Sequence, residues 1–288
     1  MRLEKFENTK VQKISESISK SYPSISYATI QKLLRQKDVK INGKRVSEDL
    51  RIEIGDVVAF YINELPEVKP DVVFDDDNII VVFKNRNLET VSETDENDLL
   101  KLIKMYLGFE CFAVHRLDRN TEGLVVFAKN KESKNSLDLA FKNRTIEKHY
   151  LALVYGCFSK DSDNMIAYLK KHADKSFVEI SDVKKEGFEK IQTNYKVLKS
   201  IDDKSLVDVE LVTGKTHQIR AHFAHIGHFL IGDEKYGDSK INKLFKKKYQ
   251  CLCAYRMIFN FKEGDYLSYL NGKELIIDKE KIDFCRNV

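Results

Sequence analysis

The stretch from Cys111 to Ala128 constrains the chain more than any other. Cys111-Phe112-Ala113-Val114 is a short apolar run, and Leu124-Val125-Val126-Phe127-Ala128 is another. Between them lie His115-Arg116-Leu117-Asp118-Arg119-Asn120-Thr121-Glu122-Gly123, which carry the charge. Apolar runs bounded by polar turn residues read as strand, loop, strand. The loop therefore holds Asp118 at the margin of a buried sheet, flanked by two arginines. Burial raises a carboxylate's pKa and a neighbouring guanidinium lowers it, so chemistry is one reason to keep such a group there. A turn-capping Asp with Arg116 and Arg119 solvated is the other, and the local pattern leaves both open.

The rest of the pattern predicts an α+β chain, with many strands, few long helices and a largely antiparallel sheet. Residues 1–62 read as a small α/β module. Leu3, Phe6, Val11, Ile14 and Ile18 have helical spacing. Ser24-Ile25-Ser26 offers cap chemistry before a helix over Tyr27 to Gln36, and Val39 to Val46 is a hairpin turning at Asn42-Gly43. Residues 63–71 contain Pro66 and Pro70, two of only three prolines, and are expected to link the module to a second domain over 72–288. Ile79 to Phe83 opens that domain as a buried strand.

Net charge bears on partners. The +4 total resides entirely in residues 1–62, where 12 Lys/Arg face 8 Asp/Glu; the remainder holds 37 of each. Six of those cations (Lys32, Arg35, Lys37, Lys40, Lys44 and Arg45) fall between Gln31 and Val46 with only Asp38 against them. A helix and hairpin presenting them would track a polyanion; a solvated basic face is the alternative. A second cluster, Lys240, Lys243 and Lys246-Lys247-Lys248, leaves the same two readings open. Five cysteines form no Cys-x-x-Cys pair, which argues against a disulfide framework or zinc ribbon. No apolar run is long enough for a membrane span and the first residues lack a signal-peptide layout, so a cytoplasmic protein is expected.

His115-Arg116-Leu117-Asp118-x-x-Thr121-x-Gly123-Leu124 resembles the signature of the RluA family of RNA pseudouridine synthases. Lys148-x-Tyr150-x-Ala152-x-Val154-x-Gly156 resembles a second family strand. Gly214-Lys215-Thr216-His217-Gln218-Ile219-Arg220-Ala221-His222 resembles a third element, and Gly232-Asp233-x-x-Tyr236-Gly237 its usual continuation. The likeness spans roughly residues 72 to 260. Residues 1–62 are similar to the alpha-L RNA-binding domain through Ile30-Gln31-Lys32-Leu33-Leu34, Val39-x-Ile41-Asn42-Gly43-Lys44 and Ile54-Gly55-Asp56-Val57-Val58. Three departures stand out. The family's Lys-Pro-x-Gly appears as Lys84-Asn85-Arg86-Asn87, which suggests a differently shaped loop. Glu122 stands where many members carry Ser, and Lys215 where Arg is usual.

The resemblance implies a pseudouridine synthase fold that isomerises uridine in RNA, chiefly large-subunit ribosomal RNA, by detaching, rotating and rejoining the base. Such a reaction has no net redox change and needs neither metal nor cofactor. Asp118 is implied as the catalytic carboxylate; attack on the sugar, attack on the base and removal of a ribose proton all stay open. Arg220 is implied as its partner, and Tyr150 as the ring that stacks on the uracil, with assistance in proton removal at carbon 5 a further implied role. Arg116 is the implied filler of the gap left by a flipped base. The implied protein is a monomer without an obligatory protein partner. Alternatives are an RNA-binding protein of the same fold without catalysis, a transfer-RNA enzyme, or a zinc hydrolase using His217, His222, His225 and His228. Their spacings of five, three and three lack the i, i+4 pair of a metal-binding helix, so structural hydrogen bonding is favoured.

Overall fold

The computed structural model describes residues 2–22, 25, 27–62, 69–92, 98–172 and 177–286. It divides into two compact units, Met1–Lys69 with Ser92–Gly108, and Pro70–Val91 with Phe109–Val288. Among the described residues no helix is long and apolar enough to cross a membrane.

The first unit runs β1 (Arg2–Glu7), β2 (Gln12–Lys13), α1 (Ile14–Ser21), α2 (Tyr27–Arg35), β3 (Val39–Ile41), β4 (Lys44–Val46), β5 (Arg51–Ile52) and β6 (Val57–Ile62). Four of these strands form an antiparallel sheet in the order β1-β6-β3-β4. Ile14, Ile18, Ile30, Leu34, Val39, Val58 and Phe60 make its core. The helical spacing from Leu3 to Ile18 misleads over its first half. Arg2–Glu7 is a strand because it pairs residue for residue with Ile62–Val57, and a ladder partner outweighs weak local periodicity. Buried Asn8 then closes the turn, donating to the Lys10 and Glu53 carbonyls and accepting from Gln12 and Ser17. The hairpin forms as expected, with Asn42 at φ 48° and Gly43 at φ 83°, both left-handed as a type I′ turn requires. Ser24 and Ser26, the expected cap before α2, lie outside the described residues, as do 63–68 of the expected linker.

The second unit holds β7 (Asp71–Asp75) and β8 (Ile79–Lys84). The chain passes through α3 (Leu99–Leu107), which groups with the first unit, and returns with β9 (Phe112–Ala113), β10 (Glu122–Ala128), α4 (Lys131–Asn143) and β11 (Ile146–Tyr155). Then come β12 (Ser162–His172), β13 (Phe177–Ser181), β14 (Glu189–Ile201), β15 (Lys204–Leu211), α5 (Gln218–His225), α6 (Ser239–Leu244), β16 (Leu252–Phe259) and β17 (Glu274–Ile276). One mixed sheet joins them in the order β13-β12-β14-β15-β11-β16-β10-β8-β7, with β17 beside β16 and β9 beside β10. All these neighbours are antiparallel except β10 and β16. The expected α+β class with a mixed, largely antiparallel sheet holds.

That parallel junction fixes the strand that follows Asp118. Gly123 sits at φ 123° facing Ala254, and a Cβ there would lie 2.3 Å from the Ala254 carbonyl oxygen. Only glycine permits so close a backbone approach. Val125 to Ala128 and Ile79 to Val82 are fully buried, so the strands on either side of the site are rigidly packed.

Candidate active site

Asp118 lies in the loop that the sequence places between two strands, and its carboxylate remains a quarter exposed. The loop is fastened mainly to the segment after β8. Thr90 Oγ1 accepts the Leu117 N–H at 3.1 Å and donates to the Leu117 carbonyl at 3.2 Å. Leu88 N–H donates to the Arg119 carbonyl, and Arg119 Nε to Asn87 Oδ1. Lys84 is fully buried, and its ammonium donates to the carbonyls of Asn85 (3.0 Å), Leu88 (2.7 Å) and Arg119 (3.1 Å). Burial pulls its pKa down to about 8, against the opposing pull of Asp118 and two glutamates.

The departures from the family pattern meet here. Arg86 NH2 lies 2.5 Å from Glu122 Oε1, with both side chains largely shielded. Asn87, where a glycine is usual, takes φ 60°, a left-handed conformation Asn tolerates. The conformation a glycine would supply is thus still available, and an ion pair ties the loop to the start of β10. Burial raises the Glu122 pKa despite Arg86.

Arg220 enters from the first turn of α5. Its NH1 donates to Asp118 Oδ2 at 3.0 Å, while Nε and NH2 grip Asp233 at 2.6 and 2.9 Å. Asp233 has no exposed surface and also accepts the N–H groups of Lys235 and Tyr236. Burial opposes both charges. For Arg220 the hydrogen bonds and attraction of Asp233, then of Asp118, prevail and raise its pKa. For Asp233, Arg220 and the two backbone donors prevail and lower it. The bidentate grip fixes the guanidinium plane, and so where NH1 points.

Asp118, Tyr150, Arg220 and Arg116 all line one cavity of about 1190 Å³ in the second unit. Tyr150 is buried on β11, and burial, then the Asp118 charge, raises its pKa, so the phenol keeps its proton. Arg116 is exposed at the mouth. The lining carries eleven lysines and arginines against four carboxylates. Residues 63–288 are neutral on paper, yet β11, β12 and β14 bring Lys148, Lys171 and Lys190 to this one opening. Lys32, Arg35, Lys37, Lys40, Lys44 and Arg45 belong to the first unit; all are exposed except Lys40, which is half-buried against Tyr61.

The four histidines go to separate partners. His222 is buried against Thr193 Oγ1, and burial lowers its pKa to about 4. His225 meets Asp182. His228 reaches the Tyr155 carbonyl and stacks on Phe158. His217 alone faces the cavity, with Nε2 3.8 Å from Asp118 Oδ2. Sequence alone offers His217 only structural hydrogen bonding or zinc, and assigns no role to Asp233 or Lys84. The Gly232-Asp233 element was visible; its connection to Arg220 was not.

A family model described as RNA pseudouridylate synthase matches residues 78–225. Ribosomal large subunit pseudouridine synthase C of Rickettsia conorii is 32% identical over 256 residues, covering 80% of this chain and 83% of that protein. An uncharacterized RNA pseudouridine synthase of Mycoplasma capricolum is 31% identical over 293 residues, covering 93% and 94%. One from Aquifex aeolicus is 34% identical over 249 residues, covering 78% and 77%. Among solved structures, human RNA pseudouridylate synthase domain containing 4 aligns with a TM-score of 0.59 at 21% identity, over 72% of this chain and 87% of that one. Its domain containing 1 counterpart aligns with a TM-score of 0.59 at 20% identity, over 79% and 98%.

Proposed function

The chain belongs to the RNA pseudouridylate synthase family, and on that premise we propose that it converts uridine to pseudouridine in large-subunit ribosomal RNA with Asp118 as the catalytic carboxylate. The observation that carries this reading is a carboxylate held by Arg220 inside a cation-rimmed cavity large enough for a nucleotide. The ribosomal substrate is carried over from relatives named ribosomal large subunit pseudouridine synthase C.

Isomerisation breaks the bond between uracil N1 and ribose C1′, turns the base within the site, and forms a bond from C5 to C1′. The C5 proton departs and N1 gains one, so atoms and electrons balance without a co-reactant. A base inside a helix cannot reach Asp118, so the target uridine must leave its stack. Arg116, exposed and lining the same cavity, fills the vacated position in this reading. Tyr150 offers a ring face to the uracil, and its raised pKa makes it a stacking and hydrogen-bonding group in protonated form rather than a phenolate base. The lysines and arginines of the rim meet the phosphates around the flipped nucleotide. Residues 1–62 add affinity through the basic helix and hairpin, and the protein acts as a single chain.

The test is release of tritium from 5-tritiated uridine in ribosomal RNA, with pseudouridine mapped in cells that have and lack the gene. Asp118→Asn should abolish release while leaving RNA affinity and melting temperature near wild type. Turnover within tenfold of wild type in that variant removes Asp118 from its role. Loss of pseudouridine from transfer RNA instead of ribosomal RNA would redirect the substrate.

A further inference from the structure

His217 is the site's least explained residue. Its backbone sits at φ 53°, ψ 17°, a left-handed conformation uncommon outside glycine, though histidine takes it more readily than most side chains. Surrounding bonds hold it there. Gln218 Oε1 accepts from Thr213 and from the Lys215 N–H, and its Nε2 donates to the Gln192 carbonyl and Thr193. Backbone strain that the surroundings over-determine is a reason to look for function.

The hydrogen-bond chain behind the ring assigns its proton. The Tyr236 hydroxyl accepts the Val178 N–H at 3.0 Å, so its own proton is available to His217 Nδ1, also at 3.0 Å. Were the proton on Nδ1 instead, the hydroxyl would accept twice and its own proton would lack this partner. The Nε2 lone pair would then face the Asp118 carboxylate at 3.8 Å. Both terms favour the form with hydrogen on Nε2. At 3.8 Å that donor is too far for a hydrogen bond to Asp118, and it opens into the cavity.

Resting on the uridine-isomerising reading of this site, we propose that His217 is a further catalytic residue: Tyr236 holds its imidazole in the Nε2–H form, and that N–H donates to a carbonyl oxygen of the uracil as the base detaches beside Asp118. Whichever route Asp118 takes, negative charge develops on the uracil carbonyl oxygens when the base is released or attacked. A fixed donor aimed at that charge lowers the barrier without itself transferring a proton. Burial, the largest influence on the ring, disfavours its charged form against the pull of Asp118, so it serves as a neutral donor.

Two measurements test this. In 15N-labelled protein, the imidazole signals of His217, assigned by their loss in His217→Gln, should show hydrogen on Nε2 at neutral pH; Tyr236→Phe should shift the ring toward the other tautomer. In single-turnover assays His217→Leu should slow isomerisation at least tenfold with RNA affinity unchanged. His217→Gln, whose side-chain amide extends a donor, should recover part of that loss. His217→Gly suits the left-handed backbone, so it should melt no lower than wild type yet be as slow as the Leu variant. Hydrogen on Nδ1 in the wild type, or a Gly variant turning over within threefold of wild type, overturns the proposal. If wild-type protein isomerises no RNA, the functional reading fails while the tautomer measurement still stands or falls alone.

Discussion

Asp233→Asn isolates what holds the site together. The substitution keeps the shape but removes one of two carboxylates that clamp Arg220. In the native arrangement Arg220 Nε and NH2 donate to Asp233 at 2.6 and 2.9 Å, and NH1 donates to Asp118 at 3.0 Å. An Asn amide can accept from one guanidinium nitrogen but turns its own N–H groups toward the other, so donor meets donor. Removing one partner of a buried ion pair costs about 3–5 kcal/mol. Asp118 stays behind as a partly exposed counter-charge, which puts the expected loss near the lower end, about 3 kcal/mol. For a unit of roughly 200 residues, each kcal/mol moves the melting temperature by about 2–4 °C, so a drop near 10 °C is expected in calorimetry.

The pH dependence has a definite sign. Asp233 titrates below its unfolded value, because Arg220 and two backbone donors outweigh burial. Its contribution is therefore complete above the unfolded carboxylate pKa of about 4 and fades as pH falls through the lower native value. The gap in stability between wild type and variant should narrow below about pH 4. Turnover should also fall, since the anchor that aims NH1 at Asp118 is gone. A melting temperature within about 2 °C of wild type at neutral pH would refute the clamp, because a loss that small is under about 1 kcal/mol.

Three further outcomes follow from the same geometry. Lys84→Met strands the Asn85 and Leu88 carbonyls, each worth about 1–3 kcal/mol, and leaves the Arg119 carbonyl with the Leu88 N–H alone; urea titration should show a loss of at least about 2 kcal/mol. Because burial holds the Lys84 pKa near 8, the unfolded chain binds more protons between about pH 8 and 10.4. Wild-type stability should gain relative to the variant across that window, and parallel profiles would contradict it. In a double-mutant cycle, Arg86→Met and Glu122→Ser should each cost more alone than together, with a coupling of about 1–3 kcal/mol; a coupling under about 0.5 kcal/mol would mark the pair as a surface contact. Converting Lys32, Arg35, Lys40 and Lys44 to Gln should flatten the slope of log affinity against log salt by about 0.7–0.9 per lost phosphate contact, and converting Lys142, Arg144 and Lys190 at the cavity rim should do the same. An unchanged slope for either set removes that face from the RNA contact.

Much of the fold could be read from local chemistry. The Asn42-Gly43 turn and the apolar runs on either side of Asp118 are signals carried by a few neighbouring residues, and each produced the expected element. Arg2–Glu7 did not, because its strand exists only through a partner fifty to sixty residues away. Asp118, Tyr150 and Arg220, which line one cavity, likewise lie in single motifs, whereas the groups bonded behind them are joined across the sheet. Asp233 is bonded to Arg220, His217 to Tyr236 and through it to Val178, and Lys84 to carbonyls of its own loop and to that of Arg119.

Charge and the departures from the family pattern show why that second layer resists a linear reading. Counting residues makes 63–288 neutral, because carboxylates elsewhere cancel the lysines that β11, β12 and β14 turn toward the cavity. Summing along the chain erases a segregation that exists only in space, and it is the spatial field that a phosphate backbone meets. Arg86 and Glu122 obey the same logic. Arg86 falls at the open position of the Lys-Pro-x-Gly element and Glu122 where many members carry Ser, so neither by itself points to a contact. Set 2.5 Å apart and shielded from solvent, they join the loop after β8 to the strand after Asp118, a tie between distant segments on the frame that holds the carboxylate.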